Sequence, residues 1–317
     1  MYTIELKGIT KTFGKHLAVD NLSLAVPQGS VYGFIGPNGS GKTTTLRMIM
    51  NIFYPDRGEI LVFGEKMNPA ITDRIGYMPE ERGLYKRMKV RKLLRFYGDL
   101  KNGENIKEEV DKWLARLELS EWGDKKVETL SKGMSQKVQF TSTVLAKPDL
   151  VILDEPFAGL DPVNAEVIKD AILELQSSGT TVIFSTHDMN VAEKMCSFIF
   201  MIFKGRKVLD GTLESIQEEY GNDTIRIRTN EGISALRNLK GVEKVNNFGQ
   251  MQELRISQDS DPQEVLKAIV ERSRVNSFEV VKPSLYDIFL RIAGPEAREV
   301  KNEQDTQIEQ ERIHSLG

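Results

Sequence analysis

One stretch of the sequence constrains the fold more than any other: it begins at Gly36, ends at Thr44 and reads GPNGSGKTT. It contains the pattern G-x-x-x-x-G-K-T, follows the apolar run Val31–Ile35 and continues into residues 43–50, whose apolar positions have helical spacing. Fixed glycines allow backbone N–H groups to turn inward around a polyphosphate, and a helix N-terminus adds partial positive charge. A glycine-rich turn without a ligand is the alternative. The strand–loop–helix context and the Lys-Thr pair favour a loop that binds a nucleoside triphosphate.

The side chains of this loop have the chemistry that phosphate binding requires. Lys42 can reach the β- and γ-phosphates of ATP, and the hydroxyl of Thr43 can bind Mg²⁺. We therefore expect ATP and Mg²⁺ as cofactors. The loop residues expected to bind the nucleotide are Gly36, Pro37, Asn38, Gly39, Ser40, Gly41, Lys42, Thr43 and Thr44.

Two carboxylates follow a second apolar run, Leu150-Val-Ile-Leu-Asp154-Glu155. Ligands of open parallel sheets bind at the carboxyl ends of the strands, so these acids should face the phosphate loop. We expect Asp154 to hold Mg²⁺ through water and Glu155 to orient, or take a proton from, an attacking water. A third apolar run, residues 181–185, ends just before His187, which we expect near the γ-phosphate.

Composition restricts the classes of function. The chain has 317 residues, 40% of them hydrophobic and 28% charged, with a formal net charge of −3. It is long enough for one core of ordinary size and a smaller domain. It shows no excess of basic residues that would indicate binding to nucleic acid. Its one cysteine, Cys196, excludes an intramolecular disulfide and fits a reducing compartment. The longest aliphatic–aromatic run, residues 198–203, is far below the ~20 residues of a membrane span. We therefore expect a separate chain to supply the membrane part of any membrane process.

Hydrophobic periodicity predicts two domains and a tail. Residues 2–35 alternate as antiparallel strands do, and residues 89–146 have helical spacing. We expect a nucleotide-binding domain over residues 1–220, with a helical subdomain at about 86–146. The order βαββαβ over residues 222–292 predicts a small α+β, ferredoxin-like domain, for which stabilising the first domain or its dimer is the expected role. The charged residues 293–317 are expected to be disordered.

The ordered set of motifs in residues 1–220 resembles the ATP-binding subunits of ABC transporters. The resemblance implies a P-loop ABC ATPase core with an antiparallel β-subdomain and a helical subdomain. It implies that Phe13 stacks on adenine, that Glu155 is the catalytic carboxylate and that His187 is the switch histidine. Residues 158–161, AGLD, look like the D-loop of the family, and residues 130–134, LSKGM, fall where it carries its LSGGQ signature.

The resemblance also implies partners. Two cassettes of this family pair head to tail, as a homodimer or as a homologous heterodimer, so that Ser131 and Gly133 of one cap the γ-phosphate bound at Lys42 of the other. A membrane-spanning permease is the second expected partner. It would hold the chain at the cytoplasmic face of the cell membrane and dock near residues 82–90.

The sequence departs from the family pattern in two places. Glu80 stands where a glutamine usually links Mg²⁺ to the permease; a carboxylate keeps the acceptor oxygen but adds negative charge and loses the amide donor. We expect Glu80 to take part in catalysis and metal binding. In the signature, Lys132 replaces a glycine and Met134 a glutamine. The sequence around Glu80, this signature and the element at residues 283–290 resemble bacterial export ATPases, among them the sodium-efflux type.

Three functions remain open from the sequence. The first is an ATP-hydrolysing subunit that drives a permease, with export of ions such as sodium, or of drugs, as the expected process. The second is a soluble ABC ATPase that acts on nucleic acid or ribosomes, although its usual tandem cassettes or long coiled coil are missing here. The third is a weakly catalytic, nucleotide-dependent regulatory module, which the departures at Glu80, Lys132 and Met134 suggest.

Overall fold

The computed structural model describes residues 1–81, 83–101, 105–221, 223–247, 249–257 and 259–294. The chain forms two compact units, Met1–Leu213 and Glu214–Gly317. Arg82, at the start of the predicted docking segment, and residues 295–317 of the predicted tail lie outside the described residues, whereas residues 293 and 294 of that tail are helical.

The first unit alternates strands and helices. Its strands are β1 (Tyr2–Phe13), β2 (His16–Pro27), β3 (Val31–Ile35), β4 (Arg57–Val62), β5 (Ile75–Met78), β6 (Leu150–Asp154), β7 (Thr181–Thr186), β8 (Phe198–Phe203) and β9 (Arg206–Gly211). Its helices are α1 (Lys42–Ile49), α2 (Pro69–Asp73), α3 (Val90–Leu100), α4 (Ile106–Arg116), α5 (Lys132–Val144), α6 (Pro162–Ser177) and α7 (Met189–Met195). Helix α8 (Leu213–Glu219) follows at the boundary between the units.

A six-stranded sheet with the order β5-β6-β7-β3-β8-β9 positions the site. Its strands are parallel except β9, which pairs antiparallel with β8. In the register, Asp154 of β6 lies beside Ser185 of β7, and Thr186 lies beside Ile35 of β3. The carboxyl ends of these three strands therefore meet at one edge of the sheet.

The composition of β6 follows from its burial on both faces. Leu150 and Ile152 belong to the core cluster formed with β1, β2 and α1, whereas Val151 and Leu153 belong to the cluster formed with α3–α6. A strand covered on both faces has no solvent-facing positions, so it is a continuous aliphatic run rather than an alternating one. The second sheet of this unit, with the order β2-β1-β4, is antiparallel.

The helical segment is divided into three α-helices, α3 to α5, and two short 3₁₀ turns, Ser120–Trp122 and Val127–Thr129. The helical spacing expected in this segment is visible on α4, where Ile106, Val110 and Leu114 lie on one buried face. Trp113, on the same face, meets the ring of Phe140 edge to face, with the ring centroids 5.8 Å apart. Packing of one apolar face, not helix propensity, therefore holds this segment together.

The second unit contains an antiparallel sheet with the order β11-β12-β10-β13, from β10 (Thr224–Thr229), β11 (Val242–Asn247), β12 (Gln252–Ile256) and β13 (Val275–Val281). Helix α9 (Pro262–Val270) packs against one face of it, and residues 285–294 form a last helix. Asp261 caps α9 by accepting a hydrogen bond from the N–H of Gln263 at 2.9 Å. The α/β class, with a P-loop core and a ferredoxin-like second domain, is confirmed.

The first helix of the expected βαββαβ order is only a short 3₁₀ turn, Gly232–Leu236. Asn238 adopts the left-handed backbone conformation, with φ of 56°, and a right-handed helix cannot continue through such a residue. In the described part of the chain, no helix is long and apolar enough to cross a lipid bilayer.

Candidate functional site

The phosphate loop connects β3 to α1 and needs glycine at its two fixed positions. Gly36 has φ of 153° and Gly41 has φ of 107°. A Cβ on Gly36 would collide with the carbonyl oxygen of Ile202, and one on Gly41 would lie 2.6 Å from that of Ala18. Both the backbone angle and the close approach of neighbouring chain therefore exclude a larger residue.

The side chain of Lys42 is buried and binds the backbone of its own loop. It is 6% exposed. Its ammonium group donates hydrogen bonds to the carbonyl oxygens of Gly36 at 2.8 Å and Pro37 at 3.2 Å, and it lies 3.7 Å from Oε1 of Glu155. Burial lowers the pKa of Lys42, while the carboxylate of Glu155 opposes this shift. The loop therefore presents a cation whose contacts can be exchanged for phosphate oxygens.

Asp154 has one carboxylate oxygen engaged and one without a partner. Its Oδ1 accepts hydrogen bonds from the hydroxyls of Ser185 at 2.5 Å and Thr43 at 3.2 Å. Its Oδ2 is buried and makes no hydrogen bond to any described residue. Burial raises the pKa of Asp154, so an adjacent cation would stabilise its charged form. A buried acceptor beside the hydroxyl of Thr43 fits Mg²⁺, which prefers oxygen ligands.

Ser185 is a site residue that the sequence analysis did not single out. Its hydroxyl donates to Asp154 and accepts the N–H of Glu155 at 2.9 Å, so one side chain fixes both acids. The only sequence signal for it was its place at the end of the predicted strand before His187. The contact spans 31 residues and depends on the register of β6 and β7.

Glu155 is held at the edge of the sheet in a strained backbone conformation. It is buried and has φ of 50°, in the left-handed region that costs a non-glycine residue of order 1–3 kcal/mol. Both carboxylate oxygens lie 3.1 Å from Nδ1 of His187. That hydrogen bond raises the pKa of His187, whose ring is otherwise half exposed. The pair can hold and orient a polar group next to Lys42.

A cavity of about 380 Å³ brings most of the predicted residues together. It is lined by Phe13, Glu80, Glu155 and the loop residues Asn38 to Thr44, and also by His16 and Ala18, which the sequence analysis did not identify. Phe13 is 41% exposed, and its ring packs edge to face against that of Phe53, with the ring centroids 5.3 Å apart. An exposed, braced aromatic ring at the mouth of such a cavity can stack on a base.

Glu80 lines the same cavity. Burial raises the pKa of its carboxyl group, and the charges of Asp154 and Glu155 raise it further. A cation placed among these three carboxylates would relieve their mutual repulsion. The arrangement can therefore hold a divalent metal together with a polyphosphate.

The chain is similar to known proteins in sequence and in fold. The ABC transporter family matches residues 19–158, and the family described as "ATP-binding protein DrrA1-3-like, C-terminal domain" matches residues 211–293. An uncharacterised ABC transporter ATP-binding protein of Bacillus subtilis, YhaQ, is 40% identical over 288 residues, which cover 90% of this chain and 97% of that protein. The chain belongs to the ABC transporter ATP-binding proteins.

Further similarities support the same assignment. The Nod factor export ATP-binding protein I of Cupriavidus metallidurans is 32% identical over 307 residues, covering 93% of this chain and 99% of that protein. A solved structure of an ATP-binding subunit of an ABC transporter superimposes with a TM-score of 0.64 at 27% identity, covering 69% of this chain and 93% of its own. The resemblance found in the sequence is confirmed, and with it the expected activity: this ABC ATPase hydrolyses ATP in a transport process.

In this ABC ATPase, Ser131 and Gly133 lie outside the lining of the nucleotide cavity. Ser131 is the N-cap of α5 and accepts a hydrogen bond from the N–H of Met134 at 3.2 Å. Gly133 faces Leu160 and Asn164 near the start of α6, and the side chain of Lys132 lies over Gly159. Within one chain, the signature residues therefore contact the D-loop region and do not close the site around Lys42.

Proposed function

We propose that the chain is the ATP-hydrolysing subunit of an export transporter and works as one half of a head-to-tail dimer of cassettes. The observation that carries the proposal is the position of Glu155, which lies next to Lys42 on one side and His187 on the other. A carboxylate in this position would contact both the γ-phosphate of bound ATP and an attacking water.

Each residue of the site then has a role that its contacts support. Lys42 and the loop N–H groups bind the phosphates, and Phe13 stacks on adenine. Glu155 orients the water and accepts its proton, while His187 holds the Glu155 side chain in place. The oxygens of Thr43, Glu80 and Asp154, the last through water, would hold Mg²⁺. The metal would supply positive charge to the β- and γ-phosphate oxygens.

The second cassette completes the site. Ser131 and Gly133 start a helix of 13 residues, and free N–H groups at such a terminus favour an anion. Because these residues do not reach the phosphate loop of their own chain, we assign them to the γ-phosphate bound by a second copy or a homologue. ATP would then hold the two cassettes together, and hydrolysis would release them.

A permease would receive this motion through the surface next to Glu80. A cavity of about 310 Å³ opens there, with Tyr77, Leu84 and Tyr97 among its walls. Gln139 lines this cavity, and its Nε2 donates a hydrogen bond to the carbonyl oxygen of Pro79 at 2.8 Å. Since Pro79 directly precedes Glu80, this bond would connect the cavity to the nucleotide site. We propose that a cytoplasmic helix of the permease binds in this cavity and holds the chain at the membrane.

Similarity to a Nod factor export protein favours export over import. The transported substrate, an ion such as sodium or a drug, would bind to the permease and not to this chain.

The decisive experiment removes the charge of Glu155 while keeping its shape. We expect Glu155→Gln to lower the ATP turnover rate by at least about 100-fold, the lower range for loss of a general base, and to accumulate an ATP-bound dimer. Phosphate release and light scattering measure the two effects. Glu121→Gln, an exposed carboxylate on the 3₁₀ turn Ser120–Trp122, is the matched control and should change neither.

The weakly catalytic alternative makes a different prediction in the same experiment. If the wild-type chain shows no ATP turnover even in the presence of its permease, Glu80 and the altered signature have converted the site into a nucleotide-dependent switch. Loss of ATP-dependent dimerisation in Glu155→Gln would contradict both the ATP-hydrolysing subunit and the nucleotide-dependent switch.

A further inference from the structure

The second unit contains a cavity that is separate from the nucleotide site. Its volume is about 290 Å³, and it lies between the strands β10, β11 and β12 and the helical residues 285–294. Charged side chains of both signs and one amide line it: Lys244 and Asn246 from β11, Glu253 and Arg255 from β12, and Asp287 and Arg291 from the last helix. These are the side chains whose charge balance decides what the cavity can bind.

The strand register places two cations side by side on the wall of this cavity. Lys244 is the partner of Arg255 across the antiparallel pair β11–β12, and Arg255 is the partner of Thr224 across the pair β12–β10. Side chains of directly opposed residues lie on the same face of a sheet, and like charges there destabilise the pairing. A negatively charged group bound between Lys244 and Arg255 would therefore stabilise this pairing.

The acidic groups nearby are already engaged with other partners. Asp223 accepts two hydrogen bonds from the guanidinium group of Arg291, at 2.9 and 2.8 Å. Glu253 accepts one from Arg226 at 2.8 Å. Asp287 accepts hydrogen bonds from the hydroxyl and the N–H of Ser284 at the start of the last helix.

Arg255 and Lys244 are left with free donor capacity. Nε of Arg255 lies 3.3 Å from Oε2 of Glu243 and 3.5 Å from Oδ2 of Asp223, yet it is buried and makes no hydrogen bond to a described residue. Among the ion pairs between described residues, none includes Lys244. Arg255 therefore has two carboxylates within ion-pair distance but no directed hydrogen bond from its Nε, and Lys244 has no ion-pair partner among the described residues.

We propose that this cavity binds the phosphate group of a small molecule, with Lys244 and Arg255 as its cationic contacts and Asn246 as a further donor. A phosphate monoester carries close to two negative charges at neutral pH and three acceptor oxygens, which match two adjacent cations better than one carboxylate does. The cavity volume of about 290 Å³ is close to that of the smallest ordinary ligand pockets, so the ligand would be a small phosphorylated metabolite. The proposal does not depend on ATP hydrolysis.

The test uses the full chain carrying Lys42→Met, so that the phosphate loop does not bind the probe. Equilibrium dialysis with radiolabelled inorganic phosphate should show one saturable site per chain, which excess ATP does not displace. Lys244→Met should raise the Kd at least fivefold, and Lys244→Glu should abolish binding. Lys240→Met removes an exposed lysine of the same unit that is not among the lining residues, and it should leave the Kd unchanged.

Two further probes identify the ligand. Glycerol 3-phosphate in solution should compete with inorganic phosphate, whereas succinate at the same concentration should not. Binding that persists in Lys244→Glu, equal competition by succinate, or binding only to vesicles that contain phosphatidic acid would each overturn the proposal. Thermal unfolding of the variants verifies that they are folded, and Lys244 is exposed, so its replacement leaves the core intact.

Discussion

At the scale of single residues, the site depends on side chains that have more than one partner. Ser185 connects the two acids, and Glu155 is shared between Lys42 and His187. Such a shared network makes substitutions non-additive, because removing one member changes the contacts of the others. Within this network, the pair of Glu155 and His187 can be tested through the pH dependence of the protein's stability.

We predict that the stability supplied by His187 depends on pH. Its pKa in the folded protein is raised by the hydrogen bond to Glu155, so the stabilising charge pair is complete below the ordinary histidine pKa of about 6.5. It is lost as the pH rises through the raised value. Because the ring is half exposed, solvent limits the effect to about 1 kcal/mol or less.

Thermal unfolding of the wild type and of His187→Gln from pH 5.5 to 8.5 measures this effect. The Tm advantage of the wild type should shrink towards the alkaline end. Glu155→Gln should show the same loss of pH dependence, and the double variant should add nothing further. A Tm difference that stays constant across this range would show that the pair is not charged.

The residues that the sequence alone predicted share a physical property. The phosphate loop, Asp154 and Glu155 are each defined by neighbours within a few positions, where backbone geometry and chemistry are set locally. Ser185 could not be predicted in this way, since its role follows from the register of β6 and β7, which are far apart in the sequence. The shortened turn at Gly232–Leu236 also escaped prediction, because hydrophobic spacing does not reveal the left-handed backbone of Asn238.

At the scale of elements, α3 presents an unusual surface for a helix of a globular domain. Phe96 and Tyr97 of this helix form an aromatic cluster with Tyr85, with ring centroids 5.7 to 6.4 Å apart, and Leu100 at the end of the helix is 61% exposed. Tyr97 and Leu100 also line the cavity proposed for the permease helix. Exposed apolar groups next to such a cavity are typical of a binding surface.

We predict that Leu100→Asp prevents association with the permease and leaves the isolated cassette active. The leucine is mostly exposed, so the change should cost the folded chain within about 0.5 kcal/mol, but it places a charge against an apolar partner. Co-purification from membranes, together with the ATP turnover of the free chain, measures the two effects. Val163→Asp, at a similarly exposed apolar position on α6, is the control and should still co-purify. Equal recovery of permease with Leu100→Asp would place the docking surface elsewhere.

At the scale of the whole molecule, the separation of Ser131 from the phosphate loop leads to a prediction about two chains. Lys42→Met and Ser131→Arg should each abolish ATP turnover when they are present in every copy. In a head-to-tail dimer that combines the two variants, one site has lost both residues, while the other site keeps both intact. Mixing the variants should therefore restore part of the turnover, up to about a quarter of the wild-type rate if subunits of a two-fold dimer pair at random and their sites act independently.

A second mixture provides the control, because Lys42 and Glu155 act within the same chain. A dimer of Lys42→Met with Glu155→Gln has no intact site in either position, so that mixture should stay inactive. Recovery in the first mixture but not in the second would assign Ser131 to the partner's nucleotide, whereas no recovery in either would mean that the signature acts within its own chain. Circular dichroism of Ser131→Arg separates this outcome from loss of the α5 cap, which should cost about 1 kcal/mol.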